Sequence, residues 1–262
     1  MPIPRPVTAG AAALVAAGAL GGCSPLGGAE APASPAASTG RRTITVFAAA
    51  SLKESFSELG RIFEQQHPGS TVQFSFGGSS TLAAQIGQGA PADVFAAASP
   101  ATMRIAEQAG AVGSPVTFAR NEMQVVVAAG NPGRVTRLDD LARPGLDVAL
   151  CDVQVPCGAA SQQVLQADHL SVSPSSWEPD VKAVLTRVAL GEADAGIVYV
   201  TDVRAAGESV RGIEIPDGRN ARTSYPIATL RSSRQLATAQ AFVDLVLSEQ
   251  GQKVLAADGF LP

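Results

Sequence analysis

From Thr43 onward, short apolar runs alternate with stretches in which apolar residues recur every three or four positions. The runs predict strands at 43–48, 71–76, 93–97, 123–129, 147–150, 195–200 and 224–230. The stretches between them predict helices at 52–66, 80–88, 100–109, 159–167, 181–190, 234–247 and 250–257. In the first helix Leu52, Phe56, Leu59, Ile62 and Phe63 share one face, and His67-Pro68-Gly69 ends it. Ser99 as a cap, Pro100 at the first helical position and Gly110 past the end frame another helix. This alternation implies an α/β fold around a mostly parallel sheet.

Where strands hand over to helices, the side chains shrink. In "VFAAASLKESF" the bulk of Val46 and Phe47 gives way to Ala48-Ala49-Ala50 before Ser51, and Ser51 with Glu54 has the spacing of a capping box. "FSFGGSSTLAAQI" sets Gly77, Gly78, Ser79 and Ser80 ahead of the next helix, the two glycines permitting close backbone approach. "VPCGAASQQVL" enters a helix through Pro156, Cys157 and Gly158, and "EPDVKAVL" begins one near Val181. Helix N-termini carry unpaired N–H groups and partial positive charge, so several that converged would form an anion site. Taken singly, each is an ordinary cap, and a linear sequence does not display convergence.

The 262 residues carry a formal charge of −4 with no dense Lys/Arg run, which argues against a nucleic-acid partner. Arg5 precedes an apolar run that glycines interrupt and that is too short to span a membrane comfortably. Its end, Leu20-Gly21-Gly22-Cys23, resembles the lipobox of bacterial lipoproteins, in which the cysteine is acylated. Residues 1–23 are therefore expected to be a lipoprotein signal segment, lipidated at Cys23. The Pro-, Ala-, Ser- and Gly-rich stretch 24–42 reads as a flexible tether. A cleaved secretory peptide with an incidental cysteine is the alternative. Cys151 and Cys157 remain as an even pair, for which export favours a disulfide over two free thiols or a metal pair. His67 and His169 stand isolated, without a metal-binding pattern. GxSxG, SxxK, P-loop and GxGxxG patterns are missing, so neither catalysis nor a cofactor is expected.

The strings "TVFAAASLKESF", "FSFGGSSTLAAQIGQGAPADVFAAAS", "GEADAGIVYVTD" and "YPIA" resemble the periplasmic molybdate-binding proteins of ABC importers, from about Thr43 to the terminal "DGFLP". The resemblance implies a two-lobed type II periplasmic binding protein fold with the ligand cleft between lobes. Lobe 1 would comprise 43–119 and 226–262, and lobe 2 would comprise 120–225. It further implies a monomer, lipid-anchored on the extracytoplasmic face, that captures molybdate or tungstate and delivers it to an ABC permease. By the same resemblance, Ser51 and Ser79 would offer hydroxyl and amide donors, Cys157 and Val181 backbone N–H groups, and Tyr199 its phenolic O–H. A receptor for sulfate or another tetrahedral oxyanion is the nearest alternative. A hydroxymethylbilane synthase-like transferase on the same architecture is a more distant one. With no titrating side chain in that ligand set, affinity is expected to stay nearly flat from about pH 6 to 8.

Overall fold

A mixed nine-stranded sheet organises the molecule, seen in a computed structural model that describes residues 42–262. The expected signal segment, the lipidated Cys23 and nearly all of the tether lie outside the described residues. The chain runs β1 (Arg42–Ala49), α1 (Lys53–Gln66), β2 (Ser70–Gly77), α2 (Ser79–Gly87), β3 (Val94–Ala96), α3 (Pro100–Gln108) and β4 (Val116–Ala128). It continues through β5 (Val148–Cys151), α4 (Pro156–Ala167), β6 (Ser176–Glu178), α5 (Val181–Ala189), β7 (Ala195–Tyr199) and α6 (Val200–Ala206). β8 (Val210–Glu214), β9 (Arg222–Thr229), α7 (Leu236–Leu247) and α8 (Glu249–Ala257) complete it.

The spatial order of strands is β2-β1-β3-β9-β4-β7-β5-β6, with β8 paired to β4. Contrary to the mostly parallel sheet expected, β4 and β9 run antiparallel to each other and to their neighbours β7 and β3. Only the flanking pairs β1–β2, β1–β3, β5–β6 and β5–β7 are parallel. The reason is connectivity: two strands that carry the chain across the middle and back must oppose one another. Buried apolar residues gather accordingly. One cluster, including Val125, Leu150, Val184 and Ile197, draws almost wholly on residues between Met123 and Ala221. Two others, around Phe56 and Phe242 and around Phe95 and Met103, use the chain before Arg120 and after Ser224.

Several local expectations shift. β4 begins at Val116 rather than near 123, because polar Arg120, Asn121 and Glu122 break the apolar run without breaking the ladder to β9. The strand expected at 195–200 stops at Tyr199. Val200 opens α6, which β-branched Val200, Thr201 and Val203 disguised. α4 starts at Pro156, three residues early, with proline at its first turn. The capping box is not formed: Ser51 lies in a 3-10 turn, Ala50–Leu52, and Leu52 holds the cap position of α1 with no side-chain cap bond. The Ser51 hydroxyl is instead engaged by Tyr225 at 3.0 Å, 174 residues away.

Candidate functional site

Four helical N-termini meet at one partly open cavity. Its walls come from Ala49 to Ser51, Gly77 to Ser79, Ala98, Val155 to Cys157, Asp180, Val181 and Tyr199. All five expected site residues (Ser51, Ser79, Cys157, Val181 and Tyr199) therefore face a single space, and all five are buried. The space is small, about 220 Å³ including its opening. That is below the volume of pockets that hold drug-sized ligands.

Each wall places its donor by ordinary chain geometry. Ser79 is the first residue of α2, behind the extended Gly78. Its Oγ accepts the Ala98 N–H at 3.0 Å, which leaves the hydroxyl hydrogen to point elsewhere. Cys157 sits in the first turn of α4, where amides have no partner in their own helix. It is disulfide-bonded to Cys151, Cα to Cα 5.8 Å, so the pairing favoured from export is the one formed. Val181 opens α5 behind Asp180, whose Oδ1 accepts the N–H groups of Lys182 and Ala183. Small residues are obligatory in two places. A Cβ on Gly158 would lie 1.9 Å from the Asp152 carbonyl oxygen, and one on Gly78 2.6 Å from that of Pro179. The approach that Gly78 permits is thus to the opposite wall.

Tyr199 closes the cavity from β7. Its hydroxyl is buried and has no hydrogen-bond partner in the protein, an arrangement that costs roughly 1–3 kcal/mol unless a guest accepts from it. Burial pushes the phenol well above its ordinary pKa, so it remains a donor. Beneath it, Asp202 is fully buried and accepts the Tyr199 N–H at 3.1 Å. Burial raises Asp202 to about 6 despite the Lys182 ammonium 3.2 Å away. Burial opposes charge on Lys182 too, but Asp202 and Glu54 outweigh it and hold its pKa above the usual value.

Sequence reasoning missed the residues behind the walls. Asn121 on β4 and Tyr225 on β9 are buried and joined to Ser51 in one hydrogen-bonded group with Thr201. Tyr225 stood inside "YPIA", but nothing in a linear string ties it to Ser51. None of the described residues lining the cavity is lysine or arginine, and no metal-binding cluster occurs among the described residues. Apart from the Asp180 carboxylate, which accepts the Lys182 and Ala183 amides, the polar groups of the wall are uncharged hydrogen-bond donors, the chemistry of an anion receptor.

Comparison with known proteins gives a concordant picture. Residues 44–261 match the model of a family described as bacterial extracellular solute-binding protein. The molybdate-binding protein ModA of Mycobacterium tuberculosis is 43% identical over 236 residues, spanning 89% of this chain and 90% of its own. Among solved structures, the periplasmic molybdate-binding protein of Azotobacter vinelandii superposes with a TM-score of 0.74 at 24% identity, over 84% of this chain and 99% of that one. The sulfate-binding protein SubI of Mycobacterium tuberculosis superposes with a TM-score of 0.72 at 23% identity, over 84% and 87%.

Proposed function

The chain belongs to the bacterial extracellular solute-binding protein family, and from that premise we propose how it works as the molybdate receptor of an ABC importer. It is a binding protein and not an enzyme. The ion is held by the hydroxyls of Ser51, Ser79 and Tyr199 and by backbone N–H groups at Ser51, Ser79, Cys157 and Val181. Roughly seven charge-assisted hydrogen bonds netting ~1.5 kcal/mol each come to about 10 kcal/mol, a dissociation constant between micromolar and nanomolar. Tungstate, with the same charge and shape, is a second ligand. Cys23 carries the lipid that keeps the receptor at the outer face of the membrane, beside its permease.

The observation that supports this ligand set is the Tyr199 hydroxyl, buried, unpartnered and set in the wall of a cation-free cavity. Such a site asks for a guest that only accepts hydrogen bonds. Hydrogen phosphate also carries a proton; of the nearby carboxylates, Asp202 is engaged by Tyr199 and Lys182, and Asp180 commits its Oδ1 to the first turn of α5. Calorimetric titration with molybdate, tungstate, sulfate and phosphate tests the reading. Molybdate and tungstate should bind at least about a hundredfold more tightly than phosphate. Sulfate binding tighter than molybdate would overturn it.

A further inference from the structure

Whether a hydroxyl in the wall gives or takes a hydrogen bond decides which anions the site accepts, and the Ser51 hydroxyl has a buried partner that biases the choice. Behind it lies a buried chain that ends in a group of known polarity. The Asn121 Oδ1 accepts the Glu122 N–H at 3.0 Å, which fixes the orientation of the amide. Its Nδ2 must then donate, one hydrogen to Thr201 Oγ1 at 2.9 Å and the other toward the Tyr225 hydroxyl at 3.5 Å. Ser51 Oγ lies 3.0 Å from the Tyr225 oxygen, a contact either hydroxyl can donate, and a hydrogen arriving from Asn121 favours Tyr225 as its donor. Burial pushes the Tyr225 phenol well above its ordinary pKa, so that hydrogen is retained. Ser51, receiving from Tyr225, has its single hydrogen left for the cavity that it lines.

We propose that Asn121, acting through Tyr225, sets the direction of the Ser51 hydroxyl and so makes the site selective for an anion without protons. Both are positioning residues; neither lines the cavity. The inference rests on the reading of Ser51 as a ligand donor. It adds a property that the ligand set alone does not contain, namely that the donor character of Ser51 is imposed from the strands behind it. A freely rotating serine could greet hydrogen phosphate by accepting its proton. A serine that already receives from Tyr225 has its hydrogen committed to the guest.

The test is a double-mutant cycle. Asn121→Asp replaces the donating amide nitrogen with an acceptor, so that Tyr225 donates backward, Ser51 donates to Tyr225, and a lone pair faces the guest. Molybdate and inorganic phosphate are titrated calorimetrically at pH 7.5 into wild type, Asn121→Asp, Ser51→Ala and the double variant, with melting curves to verify folding. Asn121→Asp should weaken molybdate about tenfold or more and lower the molybdate-to-phosphate affinity ratio by a similar factor. In the Ser51→Ala background the same change should leave the molybdate-to-phosphate ratio within about twofold, because the charge of the new carboxylate weakens both dianions alike. Tyr225→Phe, which keeps the ring and deletes the link, serves as the second variant should a buried aspartate not be tolerated. It should cost about threefold or more with Ser51 present and nothing without it. Equal changes of the ratio in both backgrounds, or a ratio that Asn121→Asp leaves unchanged, overturn the proposal. If wild type ignores molybdate but takes another oxyanion, the ligand reading fails, and the same cycle run with that oxyanion still decides the role of Asn121.

Discussion

The ammonium of Lys182, on α5, lies 2.8 Å from the carboxylate of Glu54, on α1, across the mouth of the cleft. Ser80 Oγ reinforces the closure by donating to the Gln154 carbonyl at 2.6 Å. Lys182 is mostly covered, whereas Glu54 is 42% exposed, so the pair should contribute near the upper end of the 0.2–1 kcal/mol range of exposed ion pairs. Glu54→Gln should therefore raise the molybdate dissociation rate by about threefold to fivefold while leaving association nearly unchanged. Stopped-flow release into excess tungstate measures it, and an unaltered release rate would show that the pair is not a latch.

Gly78 is a second point at which the two walls touch. A methyl group there collides with the Pro179 carbonyl oxygen, which is backbone and cannot swing aside. Gly78→Ala should weaken molybdate by about tenfold or more, because closure must stop short of full ligand contact. The melting temperature without ligand should change little, since Gly78 has φ −60° and suffers no conformational penalty as alanine.

Tyr199→Phe removes the unpartnered hydroxyl. Loss of one hydrogen bond to a dianion predicts about tenfold weaker binding, on the order of 1.5 kcal/mol. The unliganded protein should be as stable as wild type or more so, because a buried orphan donor disappears. Affinity and urea stability moving in opposite directions would identify the hydroxyl as a ligand group; a joint fall would mark it as structural.

Asp202 supplies a pH signature. Its raised pKa means that the folded protein holds this proton more tightly than the unfolded chain does. The group thus costs folding nothing below about pH 4, and its full penalty, on the order of 2–3 kcal/mol, is present above about pH 6. Asp202→Asn should gain stability relative to wild type between pH 4.5 and pH 7, measured by urea midpoints. Asp202 titrates at the lower edge of the pH 6 to 8 window, so the flat affinity expected from the ligand set should hold from about pH 7 upward, and a change between pH 6 and 7 would report this carboxylate behind Tyr199. A pH-independent difference in stability would contradict the assignment.

Cys151 and Cys157 close a loop whose second end carries a proposed donor amide. On the chain-entropy model the bond stabilises the fold by about 2 kcal/mol. Replacing both cysteines with serine should lower stability by that amount and weaken molybdate severalfold, through looser placement of the Cys157 N–H. Full affinity in the double variant would show that Pro156 and Gly158 alone hold the turn.

Much of this site was legible because its donors belong to helix starts, and helix starts leave local marks. Ser79, Cys157 and Val181 each follow a strand or tight loop with small residues or proline nearby. What local marks cannot reveal is destination. Ser51 with Glu54 has the spacing of a self-contained cap, yet Ser51 is claimed by Tyr225 and Glu54 by Lys182, both far along the chain. The antiparallel middle of the sheet escaped for the same reason, since strand direction depends on which lobe the chain is crossing toward. α6 escaped because its β-branched residues imitate a continuing strand, and only the Asp202 carboxylate on the Tyr199 amide reveals the turn.

Asn121 and Tyr225 stand on β4 and β9, the pair of strands shared by both halves, where Ala119 faces Tyr225 and Asn121 faces Thr223. Side chains alternate faces along such a ribbon, so one inserted or deleted residue in either strand would invert every position beyond it. Loops elsewhere on the molecule can drift in length over generations. This ribbon absorbs one extra residue at Phe118, ahead of Ala119, and between there and Asn121 the register must hold, because the same few peptides serve as joint and as support for the Ser51 hydroxyl.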